Sequence, residues 1–314
     1  MINVNYRLTV SSSPHAHSGT TTQSLMRDVV IALLPAAAMS VAFFGVNALV
    51  LILVSVAASV FFEYAFCRIL KKPVTVYDFS AVITGMLIAF NVPATMPVWM
   101  VIIGDFIAIV IVKQFFGGLG QNFVNPAIAA RIILMVSFPL QMTTYPVNAM
   151  AADAVTTATP LTLYGVDNAP GLLELFLGYH GGCLGEVFAA ALLVGFIYLL
   201  IRKVVSPVIP ACFIGTVFII MLIAGKGSFY YALYEVLSGG LLLGALFMAT
   251  DYVTSPVNLW GRVVFGIGCG VITCLIRLFG ATAEGVSFAI ILMNILVPHI
   301  ERLTRSKVFG EVKS

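Results

Sequence analysis

The 314-residue chain is 61% apolar and 9% charged, with a formal net charge of +3. Ordinary globular domains are about 25% charged, so this composition excludes a soluble fold and points to an integral membrane protein. The small net charge gives no reason to expect a nucleic-acid partner.

Residues 1–27 are polar throughout and hold no apolar run. They read as a cytoplasmic arm, not a cleaved signal. A crossing helix needs about 20 apolar residues. Segments 28–45 and 47–70 qualify. Segment 79–93 is short and ends at Pro93; 96–116 is full length; 126–139 is short and bounded by Pro126 and Pro139. Beyond a long polar stretch, 141–183, come 184–202, 206–225, 229–250, 261–280 and 284–301. That makes about ten crossings, all helical, because only helices satisfy one chain's backbone in lipid without closing a barrel.

The stretch 141–183 divides five spans from five. Short, proline-broken spans belong with transporters built from inverted repeats. The fold class expected is all-α: a polytopic protein in two inverted five-helix repeats, 28–140 and 184–303, with a tail at 304–314. Arg7, Arg27, Arg68, Lys71, Lys72, Lys113, Arg202, Lys203, Arg262, Arg302, Arg305 and Lys307 share one side if both termini are cytoplasmic. Lys226 is the main exception. Residues 141–183 hold no lysine or arginine, so they are expected outside the membrane.

Among the carboxylates within or beside spans, Glu63, Asp105, Glu235 and Asp251 stand out. A central aspartate costs about 2.5–3.5 kcal/mol even on the lower scales, so Asp105 should face the bundle interior or a cavity. Each is either a point on an ion path or a partner for backbone freed at a broken helix. Asp251, in "TDYVTSP", also reads as a helix-end carboxylate in water.

"NFVNPAIAAR" sets Asn122, Asn125 and Arg131 at the mouth of a short span. Pro126 suits a helix start with Asn125 as its cap. The amides and guanidinium also suit the polar edge of a flavin ring. Cys67, Cys183, Cys212, Cys269 and Cys274 include no CxxC pair, which favours packing roles. His15, His17, His180 and His299 have no evident ligand partners and read as surface residues.

In "DAVTTATPL", 153–161, Thr159 fits a helix N-cap and Pro160 the first helical position. Helix N-termini attract phosphate. Two readings fit: a capped helix in a polar loop, or an anchor for a phosphate-linked group.

This stretch resembles the flavinylation motif of Rnf and sodium-pumping NADH:quinone oxidoreductase subunits. Asp153, Thr156, Ala158 and Thr159 fill the pattern; Thr157 stands where glycine is usual. The resemblance extends over "LTVSSSPHAH", "QNFVNPAIAAR" and "ATDYVTSP", and in length it is similar to the D subunits of Rnf complexes. It implies covalent FMN on Thr159 by phosphodiester, attached by a separate flavin transferase. It further implies a non-covalent riboflavin near Asn122, Asn125 and Arg131, and a fold similar to urea transporters. The activity implied is ferredoxin:NAD⁺ oxidoreduction coupled to Na⁺ or H⁺ transport in the cell (inner) membrane. The implied partners are the other Rnf subunits: A, E and G in the membrane, B and C at its surface. No Gly-rich dinucleotide motif follows a strand, so NAD⁺ and ferredoxin are expected on other subunits. The competing expectation is a solute channel or secondary transporter, for which the outer threonine motif has no use.

Overall fold

The computed structural model describes residues 21–146, 156–157, 160–163, 169–280 and 284–305. The regular elements among the described residues are helices apart from one two-residue antiparallel pair, β1 (Tyr145–Pro146) with β2 (Thr156–Thr157). The "LTVSSSPHAH" arm, with His15 and His17, lies outside them, as do Asp153 and Thr159.

The first half runs α1 (Thr22–Phe44), α2 (Val46–Ile69), α3 (Ser80–Phe90), α4 (Val98–Phe106) and α5 (Pro126–Ser137). The π-helix Ile107–Gln114 continues α4. Three short helices follow: α6 (Pro139–Thr143), α7 (Pro160–Leu163) and α8 (Leu172–Leu177). The second half is α9 (Ala189–Ile201), α10 (Val208–Ala224), α11 (Phe229–Leu237), α12 (Leu241–Leu243), α13 (Leu259–Phe279) and α14 (Val286–Thr304). A π-helix over Gly244–Met248 extends α12.

Four helices, α1, α2, α13 and α14, are long and apolar enough to cross a membrane, and the bent pair α11–α12 makes a fifth. Helices α3, α5, α9 and α10 are apolar but shorter. Their exposed faces are greasy: Leu53, Phe61, Ile197, Ile219, Ile223 and Phe279 are all more than half exposed. That is the pattern of a surface solvated by lipid.

Two departures from the expected spans have a physical cause. Segment 184–202 is helical only from Ala189; residues 184–188 are buried coil. The Leu184 and Gly185 N–H groups donate to the carbonyls of Val92 and Phe90 at 3.1 and 2.9 Å. Carbonyls at and just beyond the end of α3 thus find donors in another segment, which is how irregular backbone persists away from water. Segment 229–250 is bent by 68° between α11 and α12, where Gly239 holds φ +71 and so favours glycine.

The two halves interlock. Helix α1 packs on α9 and α5 on α14, while α2 packs on α3 and α4, and α10 on α13. Small residues allow these approaches. A Cβ at residue 195 would lie 2.0 Å from the Ala32 carbonyl oxygen, and one at residue 85 would lie 2.8 Å from that of Ser55.

Candidate functional site

The Asn122–Asn125 turn and the Thr250–Asp251 turn, far apart in sequence, line one cavity of roughly 770 Å³ counting its open mouth. The Asn125 side chain caps α5: its Oδ1 accepts from the N–H groups of Ala127 at 3.0 Å and Ile128 at 3.3 Å. Its Nδ2 donates to the Met248 carbonyl at 3.2 Å, tying the cap to the end of the second π-helix. Asn122 Nδ2 donates to the Val124 carbonyl at 3.1 Å. Asp251 accepts from the Thr254 hydroxyl at 3.0 Å. Burial pushes the Asp251 carboxyl above its ordinary pKa, opposed by that hydrogen bond. Ile83, Leu87, Leu199 and Phe247 supply apolar walls. The cavity therefore offers an apolar enclosure with a polar rim.

Lys113 stands at the same cavity. Its Nζ donates to Glu63 Oε2 at 2.7 Å and to Ser80 Oγ at 2.6 Å, and Glu63 also accepts from Thr75 at 2.5 Å. Glu63 is fully buried and its charge is matched. Asp105 is also fully buried, facing the interior as expected, and accepts from Ser55 at 2.8 Å and Ser59 at 3.0 Å. Glu235 pairs with Arg277 at 3.2 Å. Arg277 also donates to the carbonyls of Glu235 at 2.6 Å and Ser238 at 3.1 Å. It thereby satisfies the backbone opened at the α11–α12 bend.

Arg131 is not among the residues lining the cavity. Its guanidinium turns to a separate buried cluster, donating to Asn91 Oδ1 at 2.7 Å and pairing with Glu284. Tyr145 donates to the same glutamate at 3.3 Å. Cys183 Sγ lies 3.9 Å from the guanidinium. Gly240, at the α11–α12 bend, is so close that a Cβ there would sit 3.1 Å from Arg131 Nη1. Glu186 completes the cluster with Cys183 and Glu284, their ligating atoms all within 4.8 Å of one another.

Sequence reasoning singled out none of Asn91, Glu186, Arg277 or Glu284. The signal available was a lone acid beside glycine near the start of a span, in "CLGEVF" and "AEGVSF". His180 is a correction: it is buried, with Nδ1 at 3.1 Å from the Gly181 carbonyl oxygen, not a surface residue. His299 is exposed, as expected. Near the threonine motif, Pro160 opens α7, and its carbonyl accepts from the Tyr234 hydroxyl at 3.0 Å.

Long apolar helices interrupted by broken ones, with buried ion pairs gathered at the breaks, define a multi-pass helical membrane protein. The chain belongs to the NQR2, RnfD, RnfE family, whose model matches residues 9–310. It is 47% identical over 311 residues to the D subunit of the Na(+)-translocating ferredoxin:NAD(+) oxidoreductase complex of Acetobacterium woodii, covering 98% of this chain and 96% of that one. It is 41% identical over 317 residues, 96% of each chain, to the D subunit of the proton-translocating ferredoxin:NAD(+) oxidoreductase complex of Clostridium ljungdahlii. It is 37% identical over 326 residues, 91% of each, to the D subunit of the ion-translocating oxidoreductase complex of Stutzerimonas stutzeri.

Proposed function

We propose that this chain is the D-type membrane subunit of an ion-translocating ferredoxin:NAD⁺ oxidoreductase complex, carrying electrons between two flavins. The observation that carries the reading is "DAVTTATPL" set within a chain of this family. Thr159 would bear FMN through a phosphodiester, placed there by a flavin transferase from FAD, with Asp153 and Thr156 as recognition residues. A helix starting at Pro160 supports the assignment, because it agrees with the sequence pattern in which a proline opens a helix directly after the motif threonine. Thr156 lies in β2 and Asp153 and Thr159 are outside the described residues, so their roles rest on the motif.

The cavity at Asn122 is the site we propose for riboflavin. Its apolar walls suit a planar ring, and the Asn122 amide and the neighbouring Asp251 and Lys113 suit a polar edge. Asn125 would act chiefly by capping α5 and Arg131 from outside the cavity. When bound, the flavins supply one-electron transfer. The protein's own part is to enclose the ring, exclude water and hold charge near it.

Ten crossings in two inverted five-helix repeats, similar to urea transporters, remain the architecture we favour. In support, the third span of the second half is broken at 238–240, and the third span of the first half holds only the short helix α3, ending at Phe90. Short or interrupted spans at corresponding positions mark transporters with inverted repeats. The termini would be cytoplasmic and residues 141–183 extracytoplasmic, in the cell membrane, beside the A, B, C, E and G subunits. Ion movement, of Na⁺ or H⁺, would use Glu63, Asp105, Glu235 or Asp251.

The deciding experiment is Thr159→Ala, co-expressed with a flavin transferase and run on a denaturing gel under ultraviolet light. Covalent flavin fluorescence should vanish while the protein stays in the membrane. Fluorescence that persists, or maps to Thr156 or Thr157, rejects the anchor. Single cysteines placed in 141–183, in a cysteine-free background, should react with an impermeant thiol reagent in intact cells. Labelling only after lysis would reverse the orientation.

A further inference from the structure

We propose that Glu186 and Glu284 form a binding site for a dehydrated monovalent cation of the sodium class, where the end of α3 meets the α11–α12 bend. The site deepens the ion-transport reading for its role, but its binding chemistry stands on the cluster itself.

Among the described residues, three buried carboxylates have a cationic partner, and Asp105 is held instead by two hydroxyls on one oxygen, its Oδ2 having no hydrogen-bond partner. Glu63 is matched by Lys113, Glu235 by Arg277 and Asp28 by Arg202. In the central cluster one guanidinium, Arg131, faces two carboxylates, and it is paired with Glu284. Glu186 is left over. It is 4% exposed, and neither carboxylate oxygen has a hydrogen-bond partner among the described residues. An unpaired buried carboxylate is costly, so it either holds a proton or takes a counter-charge, and a bound cation would displace the proton.

The backbone holds these groups in place. The Glu186 N–H donates to the Cys183 carbonyl at 3.0 Å. This closes the Cys183–Glu186 turn and sets both side chains against Glu284, with ligating atoms within 4.8 Å of one another. Oxygen ligands bind hard cations at about 2.3–2.6 Å, so ligands on opposite sides of an ion lie roughly 4.6–5.2 Å apart. The spacing therefore fits a cation among the three groups. With the thiol neutral, two carboxylates and Arg131 leave one net negative charge, which a monovalent ion balances and a divalent ion exceeds. The groups facing the site are Glu186, Glu284, Arg131, Cys183 and Tyr145, with Arg277 beyond them on α13.

The cluster also sits where the end of α3 comes up against the α11–α12 bend. Asn91, just past α3, and Gly240, in the α11–α12 bend, both touch Arg131. Transporters bind their ions where discontinuous helices meet. A cation leaving Glu186 would alter the balance around Arg131, and so the contact between the end of α3 and the bend.

The test uses the full-length chain, purified in detergent, in sodium chloride or in choline chloride at equal ionic strength. A hydrophobic carbodiimide modifies protonated buried carboxyls. Sodium in place of choline should slow modification of Glu186, read by peptide mass, roughly fivefold or more, the protection expected of a ligand present at several times its dissociation constant. Sodium should also raise the unfolding midpoint of the wild type and of Glu174→Gln, but not of Glu186→Gln. Equal modification rates in the two salts, protection by zinc but not by sodium, or a full sodium shift in Glu186→Gln would each overturn the site. If Glu186→Gln does not accumulate, the wild-type rates decide alone. Covalent flavin measured on the same preparations separates failure of this site from failure of the electron-transfer reading.

Discussion

The cavity at Asn125 and the cluster at Arg131 are built from the same helix, α5, yet differ in how their polar groups are satisfied. At the cavity, the side chains of Asn125 and Lys113 both have partners: Asn125 the N–H groups of its own helix and the Met248 carbonyl, Lys113 the Glu63 carboxylate and the Ser80 hydroxyl. At the cluster, Arg131 gathers Asn91, Glu284 and Cys183 from three distant segments, and Glu186 remains without a partner among the described residues. The first is a cavity with apolar walls that opens beside the start of α5. The second is a buried junction in which one guanidinium faces two carboxylates. One helix thus borders an open cavity at its start and a buried charge cluster farther along.

The largest effect should come from breaking the junction. Arg131→Met leaves Glu284 buried without its counter-charge, which costs about 3–5 kcal/mol. The unfolding midpoint in detergent should fall steeply, and Arg131→Met with Glu284→Gln should recover part of the loss. A double variant no better than the single one would show that Glu284 is not the partner that matters.

A smaller effect is expected at the cavity mouth. Asn125→Ala removes an N-cap worth about 0.5–2 kcal/mol. It should lower stability modestly and reduce extractable flavin only in proportion. Asn122→Leu should lower extractable flavin and leave the unfolding midpoint nearly unchanged. Matching losses of flavin and stability in both variants would make the whole turn structural.

The smallest effect concerns pH. The raised Asp251 pKa means that the folded state favours the protonated carboxyl. Stability at this residue therefore falls as pH rises from its ordinary 3.8 towards the raised folded value. Asp251→Asn should flatten that part of the profile of unfolding midpoint against pH. An unchanged slope would place Asp251 in water, as a simple helix-end carboxylate.

Local chemistry made part of this legible. Asn125 followed by Pro126 is a cap followed by a first-turn proline, and the structure uses both so. The run 261–280 is continuous and apolar, and α13 spans nearly all of it. Asp105 had to face inward, and does. The coil at 184–188 was not legible, because its hydropathy matches the helix that follows it. What stops the helix there is a set of donors needed by Phe90 and Val92. Arg131 looked like a neighbour of Asn125 because the two are separated by less than two turns of helix. Its long side chain instead follows the nearest buried carboxylate.

Composition and spacing alone determined that this chain enters a membrane, where its long helices run and which turn begins α5. Those are properties of a residue and its near neighbours, fixed by transfer free energy and by backbone geometry. The tertiary structure decided which charges meet. Arg131 and Glu284 stand 153 residues apart, far beyond the reach of any local rule. Their pairing follows from α5 packing against α14 in a medium too poor in water to leave a charge alone.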